Sequence, residues 1–229
     1  MICIIGDTHG DYSRFSHKKI KALGKGDFLI ICGDFGFVWD GSAKERQVLK
    51  KIGAKRYTTL FLTGSHDNYE LLENYPEEYY LGGKARNICG RLYMLSSGSI
   101  FNLDCKSVFV FGGGQAADID EGFENDRWWE QELPDESHID EGKAALQRAG
   151  NRVDYICTHE PPASIAEFLQ MHGTVSPDSA VVPQNRLNIF FDGLKGEVDF
   201  KMWFFGKLHR NKLVPPRYHA VFDEPYIIE

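Results

Sequence analysis

The sequence predicts an α/β fold, a layered sandwich of two β-sheets with helices on the outside. Short apolar runs of β-branched and aromatic residues recur without alternation, as in strands buried on both faces. Helical patterns separate the early runs, which argues a sheet built strand, helix, strand. The middle of the chain instead alternates short strands with turn residues, as hairpins do.

The elements follow in order. Ile2-Cys3-Ile4-Ile5 ends at Gly6-Asp7, Phe28 to Cys32 at Gly33-Asp34, and Thr58 to Leu62 just before Gly64-Ser65-His66-Asp67. Helical patterns cover Tyr12 to Leu23 and Ala43 to Ile52. Lys84 to Phe111 reads as hairpins around Cys89-Gly90-Arg91 and Ser97-Gly98-Ser99. Val108 to Phe111 runs into three glycines, Val153 to Cys157 precedes Thr158-His159, and Met202 to Phe205 precedes Gly206. Leu213 to Ile228 reads as a further pair of strands around Pro215-Pro216. No repeat, low-complexity tract or linker divides residues 1–229, so one domain is expected.

At 229 residues the chain is long enough to bury a large core without staples. Its formal charge of −7 disfavours a basic nucleic-acid coat or a membrane-surface binder. No apolar run approaches the roughly 20 residues that span a bilayer. The start MICIIGDTHG has no basic region or small-residue cleavage site. The five cysteines form no CxxC pair and three lie in apolar runs, as expected of reduced thiols in a cytoplasmic protein. Ala116 to Glu141 holds eleven acidic residues and one base, Arg127, leaving +3 on the rest of the chain. This segment reads as a solvated face or, because Trp128-Trp129 favours burial, as an acidic flap beside a site.

What caps the strands carries the chemistry. Asp7-Thr8-His9, Asp34, His66-Asp67, His159 and His209 all follow the carboxyl ends of apolar runs. In open α/β sheets those ends form the binding crevice. Each residue alone has an ordinary reading: Asp7 as a helix cap, Asp34 in a turn, a histidine as a satisfied polar residue. Together they form an Asp/His set without cysteine, which suits Mn²⁺, Fe or Zn²⁺.

The order Gly6-Asp7-Thr8-His9-Gly10, Gly33-Asp34, Gly64-Ser65-His66-Asp67, Thr158-His159, Gly206-Lys207-Leu208-His209 resembles the calcineurin-like metallophosphoesterases. Gly112-Gly113-Gly114 with Asp118, Arg127 and Trp128-Trp129 is similar to the small bacterial and phage-type members. The resemblance implies a four-layer α/β/β/α sandwich with two mixed β-sheets. It implies hydrolysis of a small phosphomonoester or phosphodiester by metal-activated hydroxide, most simply with Mn²⁺. Asp7, His9 and His209 are then expected at the first metal, Asp34 between both, and His159 at the second. His66 becomes the general acid, with Asp67 fixing its orientation. Paired cations activate water and clamp phosphoryl oxygens, and a placed acid contributes about 10²–10⁴-fold.

Two positions depart from the family pattern: Ser65 replaces Asn, and Lys207 replaces His in Gly-His-x-His. A hydroxyl ligates weakly and an ammonium has no lone pair. One tight metal site is therefore expected, with a second that is weak or absent. Either the Lys207 ammonium supplies charge there and binds substrate phosphate, or it turns to solvent beside a loosely held metal. Arg127 is the other phosphate-contact candidate, with a local salt bridge as its alternative. Trp39, Asn68 and Tyr69 are pocket-lining candidates. The rival function is a catalytically impaired member acting as a binding module. A nuclease is less favoured by the charge.

Overall fold

The computed structural model describes residues 1–115, 130–172 and 184–229. The strands are β1 Ile2–Gly6, β2 Phe28–Cys32, β3 Thr58–Phe61, β4 Glu77–Tyr80, β5 Gly83–Cys89, β6 Leu92–Leu95 and β7 Ser99–Leu103. They continue with β8 Lys106–Phe111, β9 Tyr155–Thr158, β10 Met202–Phe205, β11 Lys212–Val214, β12 Tyr218–Ala220 and β13 Tyr226–Ile228. The helices are α1 Lys18–Lys21, α2 Ala43–Gly53, α3 Tyr69–Glu73, α4 Glu136–Arg148, α5 Ala163–Met171 and α6 Arg186–Glu197. A seven-stranded sheet runs β13-β1-β2-β3-β6-β5-β4, and a six-stranded sheet runs β11-β12-β10-β9-β8-β7. Both are mixed. β1, β2, β3 and β6 are parallel neighbours, as are β8, β9, β10 and β12, with antiparallel strands outside them.

The period-2 pleat explains the unalternating apolar runs, because alternate side chains enter different cores. Ile2, Ile4, Ile30, Cys32 and Leu60 face Val108, Val110, Cys157 and Phe204 between the sheets. Their neighbours Cys3, Ile5, Leu29, Ile31 and Phe61 turn outward onto Ile20, Leu49, Ile52 and Leu72 of α1, α2 and α3. On the far side Phe109, Phe111, Ile156, Trp203 and Phe205 meet Ile139, Ile165, Leu187 and Phe191 of α4, α5 and α6. Three stacked cores make four layers, α/β/β/α. Truncating a middle-layer side chain such as Phe204 to Ala would cost about 3–5 kcal/mol.

Two local expectations are corrected. The helix expected over Tyr12 to Leu23 is a 3-10 turn, Tyr12–Ser16, followed by the short α1. His17 separates them in an extended conformation, φ −58° and ψ 138°, and its Nδ1 accepts from Lys19 N–H at 3.2 Å. The C-terminal pair is three strands. β11 and β12 form an antiparallel pair, while β13 crosses to the other sheet and pairs with β1 through Ile2 and Ile228. That return brings Val221 and Phe222 beside the end of β1, where Gly6 N–H donates to Phe222 O at 3.0 Å. Of the acidic segment, residues 130–141 form a short 3-10 turn and the start of α4, capped by Asp135. Residues 116–129, with Asp118, Arg127, Trp128 and Trp129, lie outside the described residues. Among the described residues no helix is long and apolar enough to cross a membrane.

Candidate metal centre

Five strands deliver their polar ends to one place. Asp7 and His9 follow β1, Asp34 follows β2, Ser65 and His66 follow β3, His159 follows β9, and Lys207 and His209 follow β10. Four of these turn sharply through left-handed backbone: φ is 44° at His9, 44° at Asp34, 63° at Lys207 and 47° at His209. Each such residue costs about 1–2 kcal/mol, a strain that persists where a side chain must be aimed. Gly33 has φ 93°, and a Cβ there would lie 2.0 Å from His159 Nδ1. Only glycine lets the two sheets' loops approach so closely.

The ligand atoms fall into two groups that share one carboxylate. His9, Asp34 and His209 converge within 4.8 Å of one another, as do Asp7, Asp34 and His159. His9 Nε2 and His209 Nε2 are 2.9 Å apart. Asp7 faces both groups, with Oδ1 3.2 Å from His159 Nδ1 and Oδ2 3.9 Å from His209 Nε2. It is fully buried, and neither oxygen has a hydrogen-bond partner. An unsatisfied buried carboxylate is costly unless a cation completes it. The donor set, two carboxylates and three imidazoles without thiolate, fits divalent cations.

Charge distribution agrees. Burial alone would pull His159 down, but Asp34 and Asp7 outweigh it and push its pKa up to about 9. Burial would raise Asp34, yet His159, His66 and Lys207 hold it well below the usual carboxylate range. Burial lowers His9, favouring the neutral imidazole that ligates. His66 is half-exposed at the rim. Its backbone N–H donates to Asp34 Oδ1 at 2.8 Å, and its Nδ1 lies 3.3 Å from Asp34 Oδ2.

Asp67 sits beneath this layer. Its carboxylate accepts from Gly36 N–H at 2.9 Å, Gly64 N–H at 2.9 Å and Phe35 N–H at 3.4 Å. It therefore pins the loop carrying Asp34 to the loop carrying His66. Burial and the Asp34 charge push its pKa up to about 6 against the pull of those amides. Of the pocket-lining candidates, Trp39 is half-exposed. Asn68 and Tyr69 are buried supports. Asn68 donates to Trp39 O at 2.7 Å and caps α3, and Tyr69 OH donates to Gly64 O at 2.8 Å. Tyr69 also lines a separate cavity of about 600 Å³ with Thr63, Arg86 and Arg186.

Lys207 is turned inward. Its Nζ donates to Ser65 Oγ at 3.0 Å and to Gln115 O at 2.5 Å, and lies 3.9 Å from Glu160 Oε1. Glu160 did not stand out in the sequence, where an acid next to His159 reads as solvated. It is fully buried, and the signal available was its place between a strand-end histidine and Pro161-Pro162.

A β/β sandwich with carboxylates and imidazoles converging at its strand ends defines a metallohydrolase class. Within that class, the chain belongs to the calcineurin-like phosphoesterases, whose family model matches residues 1–209. It is therefore a metal-dependent hydrolase acting on phosphoester bonds, and the family binds divalent metals. Among solved structures it is similar to a phosphopantetheinyl hydrolase from Mycobacterium tuberculosis, at 12% identity and a TM-score of 0.50. That match covers 96% of this chain and 87% of the other, and at such identity it concerns the fold. No curated protein sequence matches the chain.

Proposed function

We propose that this single-domain protein hydrolyses a small phosphomonoester or phosphodiester in the cytoplasm, using Mn²⁺ held by Asp7, His9, Asp34, His159 and His209. The observation carrying this reading is Asp34, which belongs to both ligand groups. In support, both Asp7 oxygens beside it lack a hydrogen-bond partner. His9, His209, Asp34 and Asp7 offer the tighter position. The other has His159, Asp34 and a weak Ser65 hydroxyl, with Asp7, which also groups with His159 and Asp34, shared between the two. When bound, a divalent cation supplies charge that acidifies water and stabilises the phosphoryl oxygens.

The chain's own groups do the rest. His66 Nδ1 faces Asp34, so Nε2 is the ring nitrogen that would give a proton to the departing alkoxide oxygen. Asp67 acts through the backbone, holding His66 and Asp34 in register. Lys207 adds positive charge beside the phosphate. Arg127 stands as a second phosphate contact on its sequence position alone. Five cysteines without a disulfide among them suit a reducing compartment.

The test is hydrolysis of p-nitrophenyl phosphate and bis(p-nitrophenyl) phosphate by chelator-treated protein resupplied with Mn²⁺, beside Asp7→Ala and His66→Ala. Mn²⁺-dependent turnover that both substitutions abolish supports the reading, and the ratio of rates gives the ester preference. Equal background in all three proteins would sink it in favour of a binding module.

A further inference from the structure

The two departures from the family pattern, Ser65 and Lys207, touch each other. The Lys207 ammonium donates to the Ser65 hydroxyl at 3.0 Å, and that hydroxyl lies 3.4 Å from His159 Nε2. A longer amide at position 65 would extend into the space the ammonium occupies. The shorter serine and the lysine therefore act as one change. An ammonium has three donors to place. Two go to Ser65 Oγ and to Gln115 O, and the third side looks toward Glu160 Oε1 at 3.9 Å. These partners are all oxygens, the surroundings of a bound cation.

Glu160 is built to hold that charge. It is fully buried, and the Lys207 side chain is 8% exposed. Glu160 Oε1 accepts from Gln115 N–H at 2.7 Å and Oε2 from Asn185 Nδ2 at 2.8 Å. The desolvation of a buried ion pair is offset only where further hydrogen bonds satisfy its charges, and here they do. Lys207 is also held at φ 63°. A strained, desolvated lysine beside a metal centre is expensive, and it serves no core.

We infer that the Lys207 ammonium is a resident cation standing in for the second metal, and that Glu160 is the positioning residue that fixes it there. This rests on the reading that Asp34 and His159 face a cation position. It deepens that reading: a phosphoryl oxygen meets one divalent cation and one ammonium.

Bound Mn²⁺ is counted by titration calorimetry and elemental analysis on chelator-treated protein, with electron paramagnetic resonance to detect coupled Mn²⁺ pairs. The native chain should hold one uncoupled Mn²⁺. Ser65→Asn/Lys207→His should hold two coupled ions, and Lys207→Met, which opens the oxygen ring without adding a ligand, should also take up a second. Two ions of similar affinity in the native chain would overturn the inference, as would one ion in both variants. No Mn²⁺ bound at all would instead remove the metal reading beneath it. For Glu160, inorganic phosphate is titrated into the Mn²⁺-loaded protein. Glu160→Gln should weaken phosphate about tenfold with Mn²⁺ stoichiometry unchanged, whereas Asp192→Asn, at the contact of α6 with the start of α5, should lower thermal stability and leave phosphate affinity as it was. Equal phosphate loss in both would reduce Glu160 to a structural support.

Discussion

The ring of Phe222 lies stacked on the imidazole of His209, with centroids 5.0 Å apart and planes 26° apart. The Arg14 guanidinium sits 4.5 Å from the same ring's centroid. Arg14 also donates to Asp7 O at 3.1 Å, Gly6 O at 3.2 Å and Phe222 O at 2.5 Å. One arginine thus links the backbone of one proposed ligand to the ring that orients another. Residues that orient ligands are worth about 10–100-fold in metal affinity. Phe222→Ala should weaken Mn²⁺ by that order in a calorimetric titration, and Phe222→Tyr should restore it. Unchanged affinity in Phe222→Ala would leave the stack without a role at the centre.

Metal and stability are coupled through Asp7 and Asp34. A ligand at 1,000 times its Kd stabilises the folded state by about 4 kcal/mol. Mn²⁺ should therefore raise the melting temperature of chelator-treated protein by several degrees. Asp34→Asn should abolish that rise, because both ligand groups share this carboxylate. A metal-induced rise that survives in Asp34→Asn would place the ion elsewhere.

How much of this was legible in the sequence depends on range. The strands and the gathering of polar residues at their ends were, because a buried strand needs an unbroken apolar run and the turn that ends it carries a polar residue, here often after glycine. Phe28–Cys32 and Met202–Phe205 have the bounds the runs imply. The pairing of β13 with β1 was not, since it joins residues more than two hundred positions apart. Phe222 was hidden with it, as one aromatic among turn residues. Glu160 was hidden because charge beside a ligand looks solvated until its partners, Gln115, Asn185 and Lys207, are brought in from three other segments. His17 misled for the opposite reason, its cap to Lys19 overriding a helical pattern.

His66 should matter in proportion to the leaving group. p-Nitrophenolate departs without a proton, whereas an alkoxide needs one, and a placed acid is worth about 10²–10⁴-fold. His66→Gln should thus lose far more kcat on an alkyl phosphate than on p-nitrophenyl phosphate. The half-exposed imidazole leaves room for the amide without disturbing the core. Equal losses on the two esters would assign His66 to phosphate binding rather than proton transfer.

Part of the acid sensitivity should arise away from the centre, at Asp192. Helix α5 starts after Pro162 with no side-chain cap of its own. Asp192 of α6 supplies one, accepting from Ser164 N–H at 3.2 Å and Ser164 Oγ at 2.8 Å, with Lys195 Nζ at 3.1 Å. Partial burial would raise its pKa, but the Ser164 and Lys195 contacts outweigh that and lower it. A carboxylate depressed by folding contributes stability above its unfolded pKa of about 4 and loses it as pH falls through the folded value. Asp192→Asn should therefore lower the melting temperature at pH 7, and its deficit should shrink below about pH 4 as the native carboxylate also protonates. Circular-dichroism melts between pH 2 and pH 7 decide it: a deficit constant across that range would show that the Asp192 charge adds nothing to the cap.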